Sequence, residues 1–71
     1  MKKIYVAFSI KSELLLGVFS SFKKIKNAML EYAKEEDDAY LIHQVDYADT
    51  IDELRENLEE AEIYIEETEV E

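Results

Sequence analysis

Ile4, Val6, Phe8 and Ile10 alternate with Tyr5, Ala7 and Ser9 at the start of the chain. Apolar residues at every second position are the signature of a strand. The polar cluster Lys11-Ser12-Glu13 follows, and a second apolar run extends from Leu14 to Phe19. Two such runs with a short polar break between them read as a β-hairpin. Gly17 lies inside the second strand rather than in the turn, which points to a bulge or a close backbone approach. Neither run reaches the roughly 18 apolar residues of a membrane span. Lys2 and Lys3 before an apolar run resemble the start of a signal peptide, but Lys11 and Glu13 interrupt it and no small-residue cleavage site follows. The expectation is a soluble, cytoplasmic protein without a membrane partner.

After the hairpin the period changes. Ser20 and Ser21 are good helix caps. Phe22, Ile25, Ala28, Met29, Tyr32 and Ala33 gather on one side at helical spacing, with Lys23, Lys24, Asn27, Glu31 and Lys34 on the other. This predicts a helix from about Ser21 to Lys34 or Glu36. The acids Glu35 to Asp38 suit a helix C-terminus badly, because the macrodipole is negative there, and they read as a turn. Ala39 to Tyr47 is rich in β-formers and reads as a third strand, with Leu41, His43, Val45 and Tyr47 on one face. Thr50-Ile51-Asp52-Glu53 is a capping box. Ile51, Leu54, Leu58 and Ala61 form the stripe of a helix that stops near Glu60, since Glu62 would enter that stripe. The alternation of Ala61, Ile63 and Ile65 then suits a final strand, the competing reading being one helix to Glu67.

The whole chain thus reads as a single α+β domain over residues 1–71. Its order is β-β-α-β-α-β, with two helices on one face of a small antiparallel sheet of three to four strands. The helix-free face would show Tyr5, Tyr40 or Tyr64. A 71-residue chain buries only about 60% of its unfolded surface, so the core is thin. There is no cysteine to staple it. Self-association into a symmetric dimer, through the exposed sheet face or a sheet edge, is one remedy.

Charge is distributed very unevenly. Residues 1–34 hold seven lysines and two glutamates, a balance of +5. Residues 35–71 hold sixteen acids and one arginine, a balance of −15, and the two halves give the net −10. At about 100° per residue, Asp52, Glu53, Glu56, Glu59 and Glu60 share an arc of about 120° on the second predicted helix. Neighbours three and four apart repel there, each pair costing a few tenths of a kcal/mol. Glu67, Glu69 and Glu71 repeat at every second residue of the last strand, roughly 6.6 Å apart. Asp46 and Asp49 flank the helix start, and Asp37, Asp38, Glu62 and Glu66 extend the acidic rows.

A charge run is most often a solvated face that keeps a protein soluble. Here the repulsion exceeds what solubility needs, because a surface of mixed sign would serve as well. Rows of carboxylates can instead imitate a phosphate backbone and occupy the basic groove of a DNA-binding protein. The candidate binding face comprises Asp37, Asp38, Asp46, Asp49, Asp52, Glu53, Glu56, Glu59, Glu60, Glu62, Glu66, Glu67 and Glu69. The alternatives are an acidic interaction domain, or an antitoxin-like module covering a basic nuclease.

The small size, the absence of Cys and Pro, and the strongly acidic second half resemble phage-encoded DNA-mimic host-takeover proteins. Gly17-Val18-Phe19-Ser20-Ser21 before a lysine-bearing helix is likewise similar to many small phage and bacterial hairpin-then-helix proteins. The resemblance, to inhibitors of the bacterial histone-like nucleoid protein HU in particular, implies a non-enzymatic inhibitor in the host bacterial cytoplasm. It would block its partner's access to DNA without cofactor or metal.

Catalytic and ligand constellations are weak by comparison. Glu35 to Asp38 lack the central Gly and terminal Glu of a calcium loop. His43 and the serines Ser9, Ser12, Ser20 and Ser21 show no nucleophile-elbow or triad spacing. A single Gly excludes glycine-rich phosphate loops. The net charge opposes direct binding of nucleic acid.

Overall fold

The computed structural model describes residues 2–70. Strands β1 (Lys2–Ser9) and β2 (Leu14–Phe19) form the expected antiparallel hairpin. Three helices follow, α1 (Phe22–Glu35), α2 (Ala39–Tyr47) and α3 (Ile51–Glu59), and β3 (Ile63–Val70) closes the chain. β3 pairs antiparallel with the free side of β1, so the sheet order is β2-β1-β3. The α+β class holds, with three strands and three helices.

The expected third strand is a helix, and the order is β-β-α-α-α-β. The reason lies in two signals that outweigh β-propensity. The Asp38 carboxylate accepts the Leu41 backbone N–H at 3.1 Å, which is an N-cap. Leu41, Val45 and Ala48, spaced four and three apart, are all buried. As a helix the segment buries these three together. As a strand it would have lost Ala48 and carried His43 and Tyr47 inward, whereas both are exposed.

The acidic turn after α1 is resolved by the same residue. Asp38 N–H donates to Ala33 O and Asp37 N–H to Lys34 O, closing a Schellman turn with Asp37 at φ 52°. The acids unfavourable behind α1 therefore stand in front of α2, where the dipole favours them. With one glycine in the chain, Glu13 (φ 53°) and Glu62 (φ 60°) also take the left-handed conformation. Each such non-glycine residue costs about 1–2 kcal/mol.

The ends of the other helices follow the sequence closely. The Ser21 hydroxyl caps α1 through Lys24 N–H, and Thr50 caps α3 through Glu53 N–H at 3.1 Å. α3 stops at Glu59, and the alternative of one helix to Glu67 is not seen.

Ile25, Met29 and Ala33 of α1, Leu41 and Val45 of α2, and Leu54 and Leu58 of α3 join Ala7, Ile63 and Ile65 of the sheet in one core. Ala48, between α2 and α3, completes it. Along β1 and β3 the intervening side chains Phe8 and Tyr64 are exposed. Tyr64 is thus where it was expected, while Tyr5 packs against the core and Tyr40 belongs to α2. Gly17 does mark a bulge. Ala7 pairs with Gly17 and Phe8 with Leu15, which leaves Leu16 as the extra residue. The bulge lets Leu16 and Phe19 both pack on the core while Leu15 and Val18 stay exposed.

Candidate functional site: the acidic face of α2 and α3

α3 carries the densest charge. Leu54 and Leu58 are fully buried, so the opposite side of the helix is fixed outward. Asp52, Glu56, Glu59 and Glu60 are exposed, and Glu53 is half-buried beside the Thr50 cap. Packing α2 beside α3 makes an open groove of ≈ 460 Å³ lined by His43, Gln44, Tyr47, Glu53, Glu56 and Asn57. The Asn57 side-chain amide donates to the Gln44 carbonyl at 3.0 Å and ties the two helices together. Asp38, Tyr40 and Glu60 line the next stretch of the same surface. The Tyr40 hydroxyl donates to a Glu60 carboxylate oxygen at 3.0 Å.

The thirteen carboxylates expected to form one face divide between several places. Glu53, Glu56 and Glu60 share the α2–α3 surface with Asp38, and Glu59 extends it along the exposed side of α3. Asp46 and Asp49 are exposed at the far end of α2 and in the link to α3, and Asp37 and Glu62 occupy turns. Asp52 and Glu67 are neutralised in part. Arg55 reaches Asp52 at 3.4 Å and Glu67 at 3.9 Å, and Lys3 meets Glu67 at 3.2 Å. Arg55 also donates to the Ile65 carbonyl, so the single arginine stitches α3 to β3. Glu66 pairs with Val6 and borders an apolar pocket with Phe8, Ile10 and Tyr64. Glu69 pairs with Lys3 across the strands. Glu71 lies outside the described residues.

Four contributors were misplaced or missed from sequence. Tyr40, His43 and Tyr47 were assigned to a strand, yet they stand on α2 beside the carboxylates, with the His43 and Tyr47 rings 6.1 Å apart. Lys26 was not singled out. Its ammonium donates to the Asp46 carbonyl at 2.9 Å and the Ala48 carbonyl at 2.6 Å, and so caps the C-terminus of α2 from α1. Once α2 is known to be a helix the need for that cap is plain, because its last carbonyls otherwise lack partners.

The chain matches no family model, no curated protein and no solved structure. The site's own chemistry is what remains. Among the described residues there is no group of three or more His, Cys, Asp or Glu placed to hold a metal ion. His43 shares its groove with carboxylates, amides and a tyrosine, and with no serine or threonine. Ser9 is buried, and its hydroxyl accepts the Ser12 N–H. The arrangement offers exposed negative charge and hydrogen-bond acceptors beside aromatic rings, which suits guanidinium and ammonium groups.

Three groups tie charge to alkaline stability. The hydrogen bond to Glu67 and its charge raise Lys3 above 10.5, and the hydrogen bond to Glu60 raises Tyr40 above 10.0. Tyr32 is raised as well, by partial burial first and the charge of Glu36 second. A raised pKa favours the folded state while the group stays protonated. That contribution is complete below the unfolded value and is lost as pH rises through the folded one. Melting temperature should therefore fall as the pH rises past the ordinary tyrosine and lysine values of 10.0 and 10.5. In a Tyr40→Phe/Glu67→Gln double variant the fall should be shallower. Parallel melting curves against pH would show this, and identical slopes would refute it.

Proposed function

We propose that the protein is a non-catalytic inhibitor that presents the outer face of α3, with the adjoining α2 surface, to a basic DNA-binding protein and excludes DNA from it. The observation that carries this reading is charge per length. Asp52, Glu53, Glu56, Glu59 and Glu60 place five carboxylates along one α-helix and its C-cap. At 1.5 Å per residue that is about one charge per 2.5–3 Å, close to the one per 3.4 Å of a single DNA strand. Arg55, which reaches Asp52, is the one base among residues 35–71. Four of the five carboxylates enter no ion pair among the described residues. Tyr40 and Tyr47, 60% and 70% exposed, interleave with the rows and offer stacking surfaces for arginine.

A nucleoid protein of the HU type is the partner that this chemistry and the resemblance to phage DNA mimics favour. α1 packs against β1 and β2 and α3 against β3, with α2 bridging the two helices. The test is displacement of labelled duplex DNA from purified HU. The protein should compete with DNA, and its affinity should drop steeply between low and physiological salt. Glu56→Lys with Glu60→Lys should weaken competition about 10- to 100-fold. Those two residues lie one turn apart on the outer face, so circular dichroism should be unchanged. Equal competition by the variant, or a complex holding HU, DNA and this protein together, would refute the reading.

A further inference from the structure

The outward face of the sheet is apolar and lies bare. Val6, Phe8, Ile10 and Tyr64 line one pocket of ≈ 390 Å³, where Glu66 is the only charged residue. Leu15 and Val18 of β2 pair with Phe8 and Val6 and extend the same face across the strand. Phe8 is 40% exposed, Leu15 and Val18 are each 55% exposed, and Tyr64 is 49% exposed. Together they leave on the order of 500 Å² of apolar surface open, toward the upper end for a monomer. The acidic rows do not need this face, and a basic groove gains nothing from it.

We infer that this face is the contact between two copies of the chain, stacked sheet on sheet in a symmetric dimer. Area is the first argument. Two such faces would remove about 1,000 Å² from water, at the lower bound for a specific interface. The rim, with Thr68 and Val70 of β3 and Ile4 of β1, carries it further. Charge is the second argument, and it selects the occupant. A chain of net −10 repels its copy wherever helices meet helices. Packed sheets stand about 10 Å apart, and each helix layer lies about 10 Å behind its sheet, so the acidic layers end some 30 Å from one another. That is several Debye lengths at physiological salt, about 8 Å each, and the repulsion is screened. Among the acids of the described residues only Glu66 shares the face, and it stands on an edge strand where it can lean into solvent.

Shape is the third argument. The fold is 17 Å across its shortest Cα dimension, so its core is one layer deep. A second sheet converts the exposed residues into a second core. It also sets two α3 rows on opposite outer surfaces.

Sedimentation equilibrium from about 1 to 100 µM tests this. The parent should weigh twice its 8.4 kDa monomer mass, and its melting temperature should rise with concentration. Leu15→Lys with Val18→Lys should weaken dimerisation at least 100-fold. Tyr64→Lys, on the opposite edge strand, should act in the same direction. All three residues are about half exposed or more, so circular dichroism should match the parent. A parent that stays monomeric at 100 µM overturns the inference. Folded variants that still dimerise overturn it too, and assign the contact to a strand edge. Binding of the parent to neutral lipid vesicles, without dimerisation, would assign the face to a membrane surface instead.

Discussion

Leu58→Ala should lower the melting temperature by more than about 10 °C and leave much of the chain unfolded at 37 °C. Leu58 is fully buried, packed in the single cluster that unites three helices and the sheet. Truncating such a leucine costs about 2–5 kcal/mol, from lost transfer energy and from the cavity left behind. In a domain of this size each kcal/mol moves the midpoint by roughly 4–8 °C. A core this small rarely supplies more than about 3–5 kcal/mol of net stability, so the loss is of the same order as the whole. Leu15→Ala is the control. That residue is 55% exposed, and if the two sheets stack it affects the dimer rather than the folded chain. Thermal melts at low micromolar concentration separate the two. A Leu58 variant that melts within about 2 °C of the parent would show that the cluster does not hold the fold together.

That cluster was readable from sequence except at α2 and at β1, where the apolar alternation Ile4, Val6, Phe8 and Ile10 marks the outward face and the smaller Ala7 is the buried residue. Ile25, Met29, Ala33, Leu54 and Leu58 fall on helical stripes, and Ile63 and Ile65 alternate, so their burial follows from period alone. α2 failed because Leu41 and Val45 satisfy both periods. They are four apart, which is one helical turn and also two strand repeats. The β-branched and aromatic content of Ala39–Tyr47 favours the strand. The decisive signals were shorter in range: Asp38 three residues before Leu41, and Ala48 three residues after Val45. The candidate site inherited that miss. The outward arc of α3 was legible because Leu54 and Leu58 fix its orientation. The α2 half was not, since helical rather than extended backbone is what brings Tyr40, Gln44 and Tyr47 beside Glu53, Glu56 and Glu60. Pairing of Asp52 and Glu67 through Arg55 was also invisible, because it depends on where β3 lies against α3.

Gly17→Val should cost about 1–3 kcal/mol, the second-largest effect expected of a single change, and should do so without touching the helices. A Cβ at Gly17 would stand 2.6 Å from the Phe19 ring tip, well inside van der Waals contact. The backbone there has φ 157°, which side-chain-bearing residues rarely adopt. Phe19 has little freedom to yield, because its ring is part of the partly buried layer against the core. A double-mutant cycle separates the two causes. If the ring clash dominates, Gly17→Ala in a Phe19→Leu background should cost clearly less than in the parent. If backbone conformation dominates, the two costs should be equal. The consequence reaches the sheet's bare face. The extra residue Leu16 is what allows Leu16 and Phe19 to point inward while Leu15 and Val18 point outward. A Gly17 variant that expels the bulge must rotate one of these pairs, so it should lose dimerisation along with stability. One that melts like the parent and dimerises like it would show that glycine is not what holds the bulge in place.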